Sequence, residues 1–583
     1  MGGATVAAVE GHAGPDSAMP WLRSYPPGVD WDVRFPPETL PGMFDGAVAR
    51  FGPKTCMDFM GRRWSFAAMG ALVDNAAAGF RRLGLAPGAR VGLCLPNSPF
   101  FVAAFFGALK AGFVVVNYSP LYVEEELAAQ MRDSGTEVMV TVDLDPLLPR
   151  AMALLDRPGS PLKHVVACQF SSALPMGKGL AFRVLRRRSI APMPRDDERV
   201  IPFRALSREA APPVCGAEPG DVALLQYTGG TTGVPKGVML THANLCANVR
   251  QSLAWNTVMR EGEERVLAVL PFFHIFALTA VMAVAVARGS MLIALPRFDF
   301  EAVMAAVRRC RPTVVPGVPT LFKALLDKGA TAEDLSSLRS CVSGGAPLPA
   351  QVKEDFEALS GCSISEGYGL TEASPVCFSN PPGEGNRSGT IGLPVPGTRA
   401  EIRSLEDPAR ALPPGEKGEL CIAGPQVMKG YWNRPEETAA VLGPDGFLRT
   451  GDVGIMDADG YVTLVDRIKD LILVSGFNVY PRVVEEALYR HPDVAAATVV
   501  GMPDGYRGEA PAAFVEPRPG ASLTEDALRE FLKDKLSPVE MPRLIEVRGA
   551  LPRSTVGKLT KTELRAEVLA RAAEAAPAGE AAR

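Results

Sequence analysis

The chain has 583 residues, 61 of them basic and 65 acidic, for a net charge of −4. Hydrophobic residues make up 47% and charged residues 22%, a globular balance that excludes a mostly disordered chain and gives no sign of a nucleic-acid surface. A chain of this length buries a large core without disulfide or metal staples.

The first 34 residues read as a loose tail and lead-in. No basic residue precedes Arg23, so no secretory leader is expected. From about residue 89, apolar runs alternate with helical patterns: RVGLCLPN as a strand, PFFVAAFFGALKAG as a helix, FVVVNYSP as a strand, VEEELAAQMRDSG as a helix and TEVMVTVD as a strand. Such alternation implies βαβ units and mostly parallel sheets. Residues 178–188 carry Lys178, Arg183, Arg186, Arg187 and Arg188 among Leu, Phe and Val. This stretch reads either as a solvated linker helix or as a basic amphipathic contact with an anionic membrane.

The most informative stretch, QYTGGTTGVPKGVMLTH, runs from Gln226 to His242 after the apolar strand VALL. Gly229, Gly230 and Gly233 allow close backbone approach, and successive N–H groups there can form an anion-binding nest. Thr228, Thr231 and Thr232 add hydroxyl donors and Lys236 a mobile positive charge. Together these are what a triphosphate needs. The pattern is not a Walker A loop, because Pro235 precedes Lys236 and Gly237 follows it.

Between Arg265 and Arg288 lie 22 residues without a formal charge, long enough on length alone to span a bilayer. Pro271, His274 and the flanking turn residues favour a buried strand, loop and core helix instead. The βα beat then returns from SMLIALPRF to AQVKEDFEAL. After about 385, short alternating stretches with Gly, Pro and Asp-Gly read as an antiparallel unit. A second α/β pattern follows Asp466-Arg467, and residues 571–583 read as a tail. The expected architecture is therefore α/β: a large unit over 35–465 with parallel sheets plus a small antiparallel subdomain, then a smaller α/β unit over 466–570. The cysteines at 56, 94, 168, 215, 246, 310, 341, 362, 377 and 421 show no C-x-x-C spacing, and His12, His164, His242, His274 and His491 form no ligand cluster. They read as buried thiols in a reducing, cytoplasmic setting, without structural zinc.

The stretch YTGGTTGVPKG resembles the signature of the adenylate-forming superfamily, the AMP-forming acyl-CoA synthetases. Its other motifs follow in order: LPFFHIFAL at 270–278, SGGAPL at 343–348, EGYGLTE at 366–372, GEL at 418–420, KGYW at 429–432, RTGD at 449–452, VDRIKDLILVSGFNVYP at 465–481 and LPRSTVGKLTK at 551–561. The resemblance covers roughly residues 35–570 and, in Asp466-Arg467 and FFHIFALT, is nearest to bacterial long-chain fatty-acid–CoA ligases.

The resemblance implies ATP, Mg²⁺ and CoA, and a fatty acid of medium to long chain that is carried through an acyl-AMP. It implies an ATP site formed by Thr228, Gly229, Gly230, Thr231, Thr232, Gly233, Lys236, Gly345, Ala346, Pro347, Glu366, Gly367, Tyr368, Gly369, Thr371, Asp452, Arg467 and Lys558. Glu372 with Thr228 would sit near the metal, a hard-oxygen pair suited to Mg²⁺. Tyr368 would lie against the purine, and Asp452 and Arg467 would meet the ribose. Lys558 would offset charge while the carboxylate attacks the α-phosphate. His274 would border the acyl pocket, Gly476 and Phe477 would serve the CoA side, and Asp466 would be the hinge of a mobile C-terminal domain. The family's first glutamate after the hinge is replaced here by Val483. Another carboxylic acid, aromatic or short-chain, or a carrier-protein thiol is the alternative. Only 25 residues follow Lys558, with no Asp-Ser attachment motif, so a free acceptor is expected. Acyl length and oligomeric state are not readable at this level.

Overall fold

The computed structural model describes residues 19–194, 196–206, 216–228, 235–475, 477–553 and 559–575. Among them the strands form four sheets. Two are large and mainly parallel, as the βα alternation predicts. The first has nine strands, and its central run places Arg265–Ala268, Val314–Gly317, Ser340–Gly344 and Ile364–Gly369 side by side and parallel. The second has eight strands, with Val222–Thr228 parallel to Val114–Asn117 and antiparallel to Lys236–Thr241.

One core cluster joins both large sheets through three helices, Leu40–Phe51, Phe66–Arg82 and Pro99–Lys110. Every residue of Pro99–Lys110 is buried, as an almost uniformly apolar helix requires. Ser98 starts it by accepting a hydrogen bond from the Phe101 N–H, with Pro99 in the first turn. Its one charge, Lys110, is satisfied by Asp45 at 2.6 Å and Asp74 at 2.7 Å. Asn97, just before this helix, fastens the second sheet to the first. Its amide donates to the carbonyls of Ala268 at 3.2 Å and Leu270 at 2.8 Å, and its oxygen accepts from the Phe272 N–H at 2.7 Å.

The Gly- and Pro-rich stretch forms the expected antiparallel sheet, from Arg399–Arg403, Lys417–Ala423, Leu448–Met456 and Val462–Arg467. The last sheet contains Ile472–Val474, Phe477–Val479, Val494–Asp504, Gly508–Pro517 and Leu544–Val547. It packs its own apolar cluster under helices Pro481–Tyr489 and Glu525–Leu532.

The uncharged run 266–287 is buried as expected. It contributes strand Arg265–Ala268, a π-helical segment Phe276–Ala283 and helix Val284–Arg288. Among the described residues no helix is long and apolar enough to cross a membrane. One expectation needs correcting: the tail read from 571 begins inside helix Thr562–Ala575. Alanine and glutamate are good helix formers, so a sequence that looks featureless extends the helix. The nine described cysteines are all buried and unbridged, and no described cluster of His, Cys, Asp and Glu could hold a metal by itself.

Candidate active site

The parallel strands Ser340–Gly344 and Ile364–Gly369 deliver two of the quoted motifs to one edge. Gly345 turns the chain there with φ of 81°, a left-handed value that favours glycine. At Gly369 an added Cβ would meet the Pro375 carbonyl at 2.0 Å, so a side chain is excluded by backbone. Between them Tyr368 donates its hydroxyl to Asp452 Oδ2 at 2.5 Å. Asp452 Oδ1 receives Arg467 Nε at 3.0 Å, because the two residues are directly paired across their antiparallel strands. Desolvation, reinforced by the Asp452 charge, pushes the Tyr368 phenol well above its usual range. The phenol therefore stays a donor. The three residues expected at base and ribose thus form one hydrogen-bonded group.

Glu372 sits on the short turn Thr371–Ala373 and accepts from the Tyr431 hydroxyl at 2.8 Å. Tyr431 is brought there by a two-residue strand, Gly430–Tyr431, paired with Lys236–Thr241. The Lys236 ammonium lies 5.1 Å from the Tyr431 ring centroid and forms an ion pair with Glu437. Across the hairpin Lys236 faces Thr228. Thr228, Lys236, Glu372, Tyr368, Asp452 and Arg467 all line one cavity of about 980 Å³. Gly345, Gly367, Gly369 and Thr371 line it too.

His274 lines the same cavity. Its Nδ1 accepts the Phe276 N–H at 3.3 Å, a contact that orients the ring. Beyond it the wall is apolar, with Val281, Val284, Trp255, Met259, Val266 and Val314. The π-helical segment helps to build this wall. Its i→i+5 bonding, as from the Val284 N–H to the Thr279 carbonyl, brings Phe276, Ala280, Val281, Val284 and Ala285 to the cavity. Single π turns often mark functional sites.

The profile of the AMP-binding enzyme family matches residues 44–432, and that of the AMP-binding enzyme C-terminal domain matches residues 483–558. The chain belongs to this family. A long-chain-fatty-acid–CoA ligase of Bacillus subtilis (strain 168) is 40% identical over 554 residues, 94% of this chain and 98% of the relative. One of Escherichia coli O6:H1 is 38% identical with the same coverage. A 4-coumarate–CoA ligase 2 of Oryza sativa subsp. japonica is 35% identical, over 88% of each chain. Among solved structures, ATP-bound MatB from Rhodopseudomonas palustris superposes with a TM-score of 0.76 at 27% identity, covering 91% of this chain and 99% of that one. The anthranilate CoA ligase AuaEII with anthranoyl-AMP gives 0.78 at 26% identity, covering 92% and 99%.

In this AMP-binding enzyme several expected residues stand apart from the cavity lining. Ala346, Pro347 and Glu366 do not line it; Glu366 accepts the Leu348 N–H at 3.4 Å, and burial raises its carboxyl. Phe477 is 63% exposed on its hairpin. Asp466 accepts the backbone N–H of Arg467 and of Arg482, both at 2.8 Å, so it ties the last strand of the four-stranded sheet to helix Pro481–Tyr489. Gly229, Gly230, Thr231, Thr232, Gly233, Gly476 and Lys558 lie outside the described residues.

The sequence assigns no role to two residues that line the cavity, Tyr431 and Lys469, nor to Asp133, which does not line it but supports its neighbours. Tyr431 stands in the quoted KGYW but was given no role. Lys469, in VDRIKD, lines the cavity, and its ammonium is held below the usual lysine range by desolvation and by Arg467. Asp133 had no signal at all. It accepts from the hydroxyl of Tyr227 at 2.6 Å, from the indole of Trp432 at 3.1 Å through its carbonyl, and pairs with Arg434 at 3.2 Å, fixing the strand that leads into the Gly/Thr loop.

Proposed function

We propose that this protein is an ATP-dependent ligase that activates a medium- to long-chain fatty acid as acyl-AMP and transfers it to CoA. One observation carries the reading: a single cavity joins a polar pole built from Tyr368, Asp452, Arg467, Glu372 and Thr228 to an apolar arm walled by Trp255, Val284 and Met259. A nucleotide fits the first and an acyl chain the second. The names of the bacterial relatives, aligned over nearly their whole length, support the same reading.

In the first half-reaction a carboxylate oxygen attacks the α-phosphorus and pyrophosphate leaves. Asp452, held by Tyr368 and Arg467, presents acceptor oxygens to the ribose hydroxyls. Lys236 exchanges Glu437 for phosphate, and Lys558 offsets the charge gathered when two anions meet. The Gly/Thr loop from Thr228 to Gly233 cradles the remaining phosphates. Glu372 and Thr228 offer a carboxylate and a hydroxyl on one cavity wall, a donor set that fits Mg²⁺, an ion that takes few protein ligands and shares phosphate oxygens. When bound it would neutralise phosphate charge. In the second half-reaction the CoA thiol attacks the acyl carbonyl and AMP leaves. His274, at the start of the apolar arm, orients the acyl end, and the C-terminal unit turns about Asp466 to bring Gly476 and Phe477 to the CoA side.

We assign the enzyme to the cytoplasm, with peripheral contact to an anionic membrane through the helix Met176–Leu185 and the arginines after it. The deciding experiment offers acids from acetate to oleate, with coumarate, and reads pyrophosphate and the nucleotide product. AMP and pyrophosphate with the longer acids are expected. ADP, or turnover confined to coumarate or acetate, overturns the reading.

A further inference from the structure

One buried amide joins the strand that carries Thr228 to the segment that carries His274. From it we infer that Gln226 is a positioning residue: it holds His274, and through it the acyl carboxylate, in register with the phosphates. This deepens the proposed activity and rests on the orienting role given there to His274.

Gln226 lies on strand Val222–Thr228, lines the cavity and is 6% exposed. Side chains on a strand alternate between faces, so Gln226 and Thr228 share one face, about 7 Å apart along the chain. Tyr227, between them, packs into a separate apolar cluster with Leu225. The Gln226 amide nitrogen donates to the Phe273 carbonyl at 3.1 Å, and His274 is the next residue. The Gln226 oxygen accepts from the Asn117 amide at 2.9 Å, and Gln130 donates to the Asn117 carbonyl at 2.8 Å. A backbone carbonyl only accepts, so the Gln226 nitrogen must face Phe273 and its oxygen must face Asn117.

The histidine segment is gripped from its other side by Asn97, which bonds the backbone at Ala268, Leu270 and Phe272. Gln226 adds a hold at residue 273, and this one comes from the strand that leads to the phosphates. The His274 ring is bonded to its own backbone through the Phe276 N–H, so it follows wherever that backbone is held. A buried amide that merely satisfied two neighbours would steady the fold without favouring one substrate over another. The chemistry separates the two cases. The attacking carboxylate oxygen has to stand about 3–3.5 Å from the α-phosphorus and in line, and an error of about 1 Å costs about a hundredfold.

The test measures pyrophosphate release by the full chain with dodecanoic and hexadecanoic acids, varying acid and ATP separately. Gln226→Met keeps length and bulk but neither hydrogen bond. It should lower kcat/KM for the acid about ten- to a hundredfold and leave KM for ATP at the parent value. Gln226→Glu keeps the acceptor for Asn117, loses the donor to Phe273 and should fall at least as far. The two run in parallel, so that poor folding of one does not stop the comparison. In a His274→Ala background either substitution should cost little more, because the residue through which Gln226 acts is gone, and such non-additivity marks coupled residues. Full additivity with His274→Ala, or a rise in KM for ATP as large as that for the acid, overturns the inference while leaving fatty-acid activation intact. A His274→Ala protein as active as the parent removes the orienting role of His274 and the inference with it. No pyrophosphate from the parent with either acid overturns the fatty-acid reading itself.

Discussion

Tyr368 and Asp452 are joined by a hydrogen bond of 2.5 Å between side chains 84 positions apart. The motif tyrosine and the motif aspartate are therefore one unit, and each fixes the other's orientation. Asp452→Asn keeps the shape but removes the charge that holds Arg467. Hydrogen bonds to a charged group are worth about 1.5–3 kcal/mol, so kcat/KM for ATP should fall about ten- to a hundredfold. Tyr368→Phe, which keeps the ring, should lose less. Initial-rate kinetics with ATP varied checks both, and an unchanged KM for ATP in Asp452→Asn removes the ribose role.

Much of this was legible because the fold's large signals are local. Pro99–Lys110 reads as a helix since nearly every residue is apolar, and the stretches punctuated by Gly, Pro and Asp-Gly after 385 read as an antiparallel unit, the four-stranded sheet that is found. The illegible parts depend on residues far apart in the chain. Nothing near Asp133 announces that Tyr227, Trp432 and Arg434 converge on it. The Lys236–Glu437 pair joins a motif lysine to a helix, Pro435–Val441, that no quoted motif covers, and the π-helical register of Phe276–Ala283 follows from packing rather than from composition.

That Lys236–Glu437 pair makes a second prediction. The carboxylate competes with phosphate for the same ammonium, and half-exposed pairs of this kind contribute about 0.2–1 kcal/mol. Glu437→Gln should lower KM for ATP up to about fivefold, with less gain at high salt. A higher KM in the variant would mean that Glu437 positions Lys236 instead of competing with phosphate.

His242 supplies a pH dependence outside the chemistry. It is 1% exposed, its Nδ1 accepts the Leu40 N–H at 3.3 Å, and it opens the helix His242–Trp255. Burial lowers it from 6.5 to about 4. The folded state therefore holds it neutral where the unfolded chain takes a proton. Stability is fully present above about pH 6.5 and is lost as pH falls toward 4, by at most about 3 kcal/mol. In His242→Gln the melting temperature should fall less steeply across that window. Parallel curves for the two proteins would remove His242 as the cause.

Asp466 accepts two backbone N–H groups at once, at Arg467 and Arg482, which places it at the joint proposed for domain rotation. Proline there fixes φ and removes both hydrogen bonds. Asp466→Pro should form acyl-AMP at near the parent rate but transfer it to CoA about tenfold or more slowly, while Asp466→Ala, which loses only the bonds, should be milder. Separate pyrophosphate and thioester assays decide, and equal slowing of both steps by proline argues against rotation.

The membrane proposal changes once side chains are placed. Five basic residues looked available between 178 and 188. Lys178 donates to the Met60 carbonyl at 3.0 Å, and Arg183 donates to Ser171 at 2.9 Å and Gln169 at 3.2 Å. These two serve the protein, which leaves Arg186, Arg187 and Arg188, all exposed, to face lipid. Beside them Leu180, Val184 and Leu185 are 66%, 67% and 80% exposed, and Leu180 and Val184 share one helix face at i and i+4. An apolar strip with a basic end suits the interface of an anionic bilayer. At roughly 1 kcal/mol per arginine the electrostatic part is only about 3 kcal/mol, so binding should be weak and lost at high salt. In flotation, the full chain should rise with phosphatidylglycerol vesicles and not with phosphatidylcholine vesicles. The triple variant Arg186→Glu, Arg187→Glu, Arg188→Glu should stay at the bottom while turning over a short acid at the parent rate. Equal flotation on both lipids, or flotation of the triple variant, would locate the contact elsewhere on the molecule.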